Sequence, residues 1–524
     1  MAKVKIITAA EAAAQVPDGA VINTEGFVQA GLSETLNRAL EQRFLETGHP
    51  KDLTIFTVAG QGAGAGTGSD HFAHEGMVKR LIAGHYNLAP TLRTMAIEGK
   101  IEAYNLPQGT MAQMVRDAAG KRLGTLTHVG LNTYVDPRIE GAKVNANTTE
   151  DIVKLVEIEG EERLLFKSQP LDVVFVRGTY ADESGNITLE KEACTLDATS
   201  LAQCAKNNGG KVFVQVEKVV ANGSLDPRLV KIPGIYVDAV IIAEGDDNAQ
   251  IYKQEYDGSM TGDFRVPLGS LEAPKLDAKK IIARRAAMEL QKGAVVNLGI
   301  GVPEFVSAVA NEEGIGDWMT LTVEAGPVGG VPQGGSRFAG SVNVDCILDQ
   351  PYQFDFYDGG GIDQAFLGLA QVDEKGNLNV SKFGGRIAGC GGFINISQNT
   401  KNCIFCGTFT AGGLKTACED GKLIILQEGK SKKFVLSVQQ VTFSGAYARR
   451  NKMNVKFITE RAVLELLPEG LTVTEIAPGI DLQTQVLDQM EFMPLVARNL
   501  KIMDSRIFID APMGIKDEIL AKVK

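Results

Sequence analysis

The sequence predicts an α/β protein made of two related open domains that arose by internal duplication. Two observations carry this. Short β-branched, apolar runs alternate with helix-like segments, the pattern of parallel sheets covered by helices. The chain also repeats itself once, with the pieces in the same order. Residues 19–23 read GAVIN and 293–297 read GAVVN; each follows an alanine-rich segment (AAEAAAQ, ARRAAMELQ) and leads into a glycine-bearing turn. Residues 54–60 read TIFTVAG and 320–326 read TLTVEAG. Residues 172–186 read DVVFVRGTYADESGN and 363–377 read DQAFLGLAQVDEKGN, with Asp, Phe, Asp, Glu, Gly and Asn at identical offsets. The three matches predict one domain over 1–270 and a second over 278–524. The turn-rich stretch 255–278 joins them.

The individual elements follow from local pattern. Thr8 with Glu11 three residues on forms a helix-capping pair for a helix over Ala10–Gln15. VFVQVEKVV and YVDAVIIAE read as buried strands, and Lys279–Gln291 as a helix. VVNLGIGVPEFV (295–306) reads as a strand, a glycine turn and a helix. Gly299 and Gly301 would let backbone approach a ligand there, and a helix N-terminus favours a phosphate or other anion. RIAGCGGFINIS (386–397) sets Gly389, Gly391 and Gly392 between strand-like flanks, and DFYDGGGID (355–363) is a third glycine cluster. Amides exposed in such a turn can form an oxyanion hole; the alternative is a bulge or a plain hairpin turn. Open sheets of this class bind ligands at the carboxyl ends of their strands.

Composition narrows the function classes. The 524 residues exceed what one core usually supports, and 58 glycines, about 11% against a usual 7% or so, cluster beside apolar runs as tight turns. The net charge of −11, without a block of like charges, argues against nucleic acid and anionic membrane surfaces as partners. No run approaches the ~20 apolar residues of a membrane span, and the N-terminus has no signal-peptide core. Seven scattered cysteines fit reduced thiols in a cytoplasm. Cys403 and Cys406 form a CxxC inside CIFCGTF, which reads as a buried strand. His71 and His74, followed by Glu75, read as a solvated helix start, and no metal site is expected. The second domain contains no histidine, so chemistry there must use carboxylate and backbone.

One residue breaks the repeat. Aligning TIFTVAG with TLTVEAG matches Thr54 with Thr320, Ala59 with Ala325 and Gly60 with Gly326, and sets Glu324 against Val58. A carboxylate at a strand end, just before the glycine-rich AGPVGGVPQGG, would be partly desolvated and ringed by backbone amides. Such a group can serve as a nucleophile in covalent catalysis; the same residue could equally be an ordinary strand-end glutamate paired with a lysine or a helix dipole.

These residues together resemble the family I CoA-transferases over nearly the whole chain, and most closely the bacterial acetate and propionate CoA-transferases. The likeness continues through EAYNLPQGT (102–110), YVDPRIEGAKVN (134–145), GTYADESGNIT (178–188), DGGGID, GCGGF and EIAPGIDLQ (475–483). The resemblance implies that Glu324, in TVEAGP, is the family's active-site glutamate. It implies that Gly299, Ile300, Gly301, Val302 and Pro303 form the coenzyme A loop, and that Gly391 or Gly392 is the oxyanion glycine. Ala325 stands where one subgroup carries Asn, which leaves the nucleophile intact.

The resemblance also implies a ping-pong reaction between short-chain acyl-CoA and carboxylic acids such as acetate and propionate. Glu324 attacks the acyl-CoA carbonyl to give a mixed anhydride and CoA thiolate. The thiolate then attacks the glutamyl carbonyl, releasing the first acid and leaving a Glu324–CoA thioester, which a second acid discharges. Coenzyme A is a substrate, no permanently bound cofactor is needed, and a symmetric homo-oligomer is expected. An acyl-CoA hydrolase on the same scaffold is the alternative. A sugar-phosphate isomerase would need neither the duplication nor VEAGP, and a ligand-sensing module would carry a basic DNA-binding segment that is missing here.

Overall fold

A computed structural model describes residues 3–267 and 274–521; residues 268–273, within the predicted join, lie outside the described residues. The chain forms two compact units. The first lies within Met1–Val266, Val323–Asp355 and Arg386–Asn395, the second within Pro267–Thr322, Phe356–Gly385 and Ile396–Lys524.

The first unit is built on an eight-stranded sheet. Its strands are β1 (Lys5–Ile6), β2 (Val21–Thr24), β3 (Leu53–Thr57), β4 (Val78–Ala83), β5 (Glu102–Asn105), β6 (Val173–Arg177), β7 (Lys211–Val216) and β8 (Ala239–Ile242). They stand in the order β1-β8-β7-β6-β2-β3-β4-β5, and every pairing is parallel. A parallel sheet covered on both faces needs continuous apolar strands. VVFVR of β6 is buried at all five positions. Helices α1 (Ala9–Ala13), α2 (Glu34–Thr47), α3 (Pro90–Ile97), α4 (Gln108–Ala119) and α5 (Ala198–Asn207) connect the strands. The capping pair predicted for α1 is present: the Glu11 amide donates to the Thr8 hydroxyl, and the Thr8 amide donates to the Glu11 carboxylate.

In the second unit, strands β9 (Val295–Leu298), β10 (Thr320–Thr322), β11 (Gln364–Gly368), β12 (Asn402–Cys406), β13 (Asn454–Ile458), β14 (Ala462–Leu467), β15 (Gly470–Ile476) and β16 (Leu495–Ile502) run in the order β10-β9-β11-β12-β13-β14-β15-β16. The first five are parallel neighbours. Helix α6 (Ala278–Ala287) begins at Asp277, whose carboxylate accepts from the amides of Lys279 and Lys280. Helix α7 (Phe305–Glu312) follows β9. Cys403 and Cys406 lie buried in β12, as the sequence suggested. No helix among the described residues is long and apolar enough to cross a membrane.

The two sheets carry the repeat down to single hydrogen bonds. The order β8-β7-β6-β2-β3 is matched by β13-β12-β11-β9-β10. Asp172 accepts from the Val21 amide (2.8 Å) as Asp363 accepts from the Val295 amide (2.8 Å). The Asn23 side chain donates to the Phe56 carbonyl as that of Asn297 donates to Thr322. In the third pair, Asp182 accepts from the amides of Ser184 and Asn186, and Asp373 from those of Lys375 and Asn377.

Two local readings are corrected. FINIS, read as strand-like, opens helix α9 (Phe393–Asn399), where Ile394 and Ile396 are both buried. Packing overrides the β-propensity of its isoleucines. His71 is not solvated: it is 5% exposed, between the carboxylates of Glu34 (3.1 Å) and Glu41 (2.6 Å), while His74 meets Glu41 at 2.8 Å. Burial opposes charge on His71, but the two carboxylates outweigh it and raise its pKa.

Candidate active site

Glu324 projects from a tight turn that follows β10. The Gly326 amide donates to the Val323 carbonyl (3.0 Å), which puts Glu324 at the second position of a four-residue turn. The turn closes on Gly326, which has φ +124°, and any Cβ there would run into the carbonyl oxygen of Leu348. The flanking Val323 and Ala325 are buried in an apolar cluster with Phe27, Ala59, Leu196 and Phe338. The turn is thus anchored on both sides while Glu324 points out of it.

The Glu324 carboxyl makes no hydrogen bond or ion pair among the described residues. The residue as a whole keeps partial contact with solvent, yet protein crowds its carboxyl closely enough that desolvation pushes its pKa up to about 7. A carboxylate without a compensating cation or amide is poorly solvated, which makes it a better nucleophile than one in water.

The GCGG turn lies against this carboxyl. A Cβ added to Gly392 would sit 3.2 Å from Glu324 Cδ and Oε2, and 3.2 Å from the Phe354 ring. The two glycines differ in their hydrogen bonding. The Gly391 amide donates to the Gly84 carbonyl (2.8 Å), and the Gly391 carbonyl accepts from the Gln108 amide (2.9 Å). The Gly392 amide has no acceptor among the described residues. It lies at the N-terminal edge of α9, where the peptide dipoles favour negative charge. Helix α8 (Gln350–Asp358) completes the wall. Gln350, Gln353 and Phe354, spaced to share one helical face, are all buried, and Gln353 donates to the Val323 carbonyl (3.3 Å). The Gly109 amide, at the start of α4, donates to Asn395 Oδ1 (3.0 Å).

Glu324, Gly391 and Gly392 therefore come together within the first unit. Gly299–Pro303 belong to the second unit, between β9 and α7. There the Gly299 amide donates to the Phe366 carbonyl (2.8 Å), the Gly301 amide donates to Glu304 (2.9 Å), and Ile300 is 58% exposed. Sequence reasoning did not single out Gln108, Gln350, Gln353 or Phe354. The available signal was the helical spacing of two glutamines and an aromatic residue in QPYQF.

Two sheets thus share a run of five parallel strands in the same order, and an unpaired glutamate lies against a glycine turn. The family model described as coenzyme A transferase matches residues 6–243. The chain is 44% identical over 515 residues to the acetate CoA-transferase YdiF of Escherichia coli O157:H7, spanning 98% of this chain and 96% of that protein. It is 45% identical over 525 residues to the caffeate CoA-transferase of Acetobacterium woodii, spanning 99% and 100%. The crystal structure of YdiF as a thioester complex with CoA superposes with a TM-score of 0.93, at 43% identity, over 98% of this chain and 97% of that one. The chain belongs to the coenzyme A transferase family.

Proposed function

We propose that this CoA-transferase moves coenzyme A between short-chain acyl-CoA and short-chain carboxylic acids, acetate and propionate among them, with Glu324 as the nucleophile. The observation that carries the reading is the unpaired Glu324 carboxyl set against Gly392, whose amide has no acceptor among the described residues. Glu324 attacks the thioester carbonyl, the C–S bond breaks, and CoA leaves as thiolate. The thiolate attacks the glutamyl carbonyl of the anhydride, and the first acid departs with the bridging oxygen. Both tetrahedral intermediates carry an oxyanion, and the Gly392 amide is the donor available to it. A donor of this kind contributes about 3–4 kcal/mol to the transition state.

Gly299, Ile300, Gly301, Val302 and Pro303 form the CoA loop in this reading. Binding energy from the distant parts of CoA offsets the cost of the anhydride. Residues 1–270 and 278–524 are the duplicated domains, a reading supported by the shared strand order and the paired Asp172 and Asp363 bonds. Coenzyme A serves as substrate and no cofactor stays bound. The seven free cysteines support a cytoplasmic setting, and the enzyme works as a homo-oligomer.

Initial rates with acetyl-CoA or propionyl-CoA against acetate, propionate and caffeate test this. Parallel double-reciprocal lines, with thioester loss dependent on the small acids, are expected. Loss of the thioester without any added acid would identify a hydrolase, and a preference for caffeate would overturn the short-chain assignment.

A further inference from the structure

Asp197 occupies the cap position before α5, yet its side chain caps nothing. Aspartate there normally bonds the first amides of the helix. Instead Asp197 Oδ2 accepts from Gln350 Nε2 (2.8 Å), Gln350 Oε1 accepts from the side-chain Nε2 of Gln108 (3.2 Å), and the backbone N–H of Gln108 donates to the Gly391 carbonyl (2.9 Å). The three side chains are buried, and Asp197 Oδ1 has no hydrogen-bond partner among the described residues. The Gln350 backbone is itself tied in, its amide donating to Leu196 (2.9 Å). A buried carboxyl that forgoes its cap and keeps one oxygen unbonded is costly, and such costs gather at functional sites.

The line ends on one peptide plane. The Gly391 carbonyl and the Gly392 amide belong to the same peptide, and in a trans peptide they point in opposite directions. Holding the carbonyl on Gln108 therefore aims the Gly392 amide. We propose that Asp197 and Gln350 are positioning residues for CoA transfer: through Gln108 they fix the Gly391–Gly392 peptide against Glu324. Asp197 supplies an acceptor, which orients the Gln350 amide so that its oxygen faces Gln108. The inference rests on the reading of Glu324 as nucleophile and Gly392 as its donor partner.

The test uses the full chain and compares Asp197→Ala, Asp197→Asn and Gln350→Met with wild type in acceptor-dependent transfer, together with Tm. A misaimed donor costs up to about 100-fold in rate. Asp197→Ala and Gln350→Met are expected to lose about 10- to 100-fold in kcat, with KM for acyl-CoA within about twofold. Asp197→Asn, whose carboxamide oxygen still accepts from Gln350, is expected to stay within about threefold of wild type. Gln350→Met carries the test if Asp197→Ala does not fold. Unchanged kcat in the Ala and Met variants, equal losses in Asp197→Ala and Asp197→Asn, or a loss confined to KM and Tm would overturn the proposal. A wild-type protein that transfers CoA without any adduct on Glu324 would instead defeat the nucleophile assignment, independently of these ratios.

Discussion

Gly392 faces the Glu324 carboxyl so closely that a single methyl group would reach 3.2 Å from both Cδ and Oε2. The Phe354 ring stands at the same distance from that methyl, so it meets two neighbours at once. Gly392→Ala is expected to displace the carboxyl or the turn by a few tenths of an ångström or more. Steady-state transfer should fall by about 100-fold, while Tm changes by only a few degrees. Full activity in this variant would show that the contact does not shape the reaction.

Glu324 must be ionised to attack, and desolvation holds its pKa at about 7. The value of kcat/KM for acyl-CoA should therefore rise with a slope near one on a logarithmic scale below pH 7 and level off above it. At pH 5.5 it should lie roughly 30-fold under the plateau. A profile flat down to pH 5 would mean that the carboxyl is better solvated in the free enzyme than its surroundings indicate.

The same shift has a signature in stability. A carboxyl whose pKa rises from 4.5 to about 7 on folding holds its proton more tightly in the folded chain. Its contribution is fully present below about pH 4.5 and is lost as the pH rises through about 7. Glu324→Gln removes that titration. The variant should melt close to wild type at pH 4.5 and above it at pH 8, by at most about 3 kcal/mol and by less where solvent reaches the side chain. Calorimetry at the two pH values measures it, and a variant that melts below wild type at pH 8 would contradict it.

Gly109 opens α4 against the buried Phe354 ring, and a Cβ there would run into that ring and approach Asn395 Nδ2 at 2.6 Å. Gly109→Ala should cost about 1–3 kcal/mol by overpacking. Because Phe354 also lines Gly392, transfer should slow as well. Placing Gly109→Ala in a Phe354→Leu background should recover part of the lost stability. Additive losses in the double variant would mean that the two side chains do not meet.

Much of the architecture was legible because the repeat is written in strand residues whose neighbours are also strands of the same repeat. GAVIN and GAVVN become β2 and β9, and each is bonded by the aspartate that opens its matching segment. Glu324 was legible because it sets a carboxylate where the matching segment has the apolar Val58. The choice between Gly391 and Gly392 was not, because it depends on Gly84 and Gln108, which lie some 280 residues or more away in sequence. Nor was the line from Asp197 through Gln350: an aspartate before a helix reads as a cap, and only the fold shows its bond going elsewhere. Helix α9 was misread because alternating isoleucines look like a strand until packing decides between the two.

The central claim is that Glu324 becomes covalently bound to coenzyme A. The most direct measurement mixes the protein with propionyl-CoA or acetyl-CoA without an acceptor acid, quenches, and takes intact and peptide mass spectra. A CoA-sized adduct on the peptide that contains Glu324, discharged by added acetate or propionate and missing from Glu324→Ala, is the predicted result. Turnover with no adduct on that peptide, or an adduct that survives in Glu324→Ala, would contradict it.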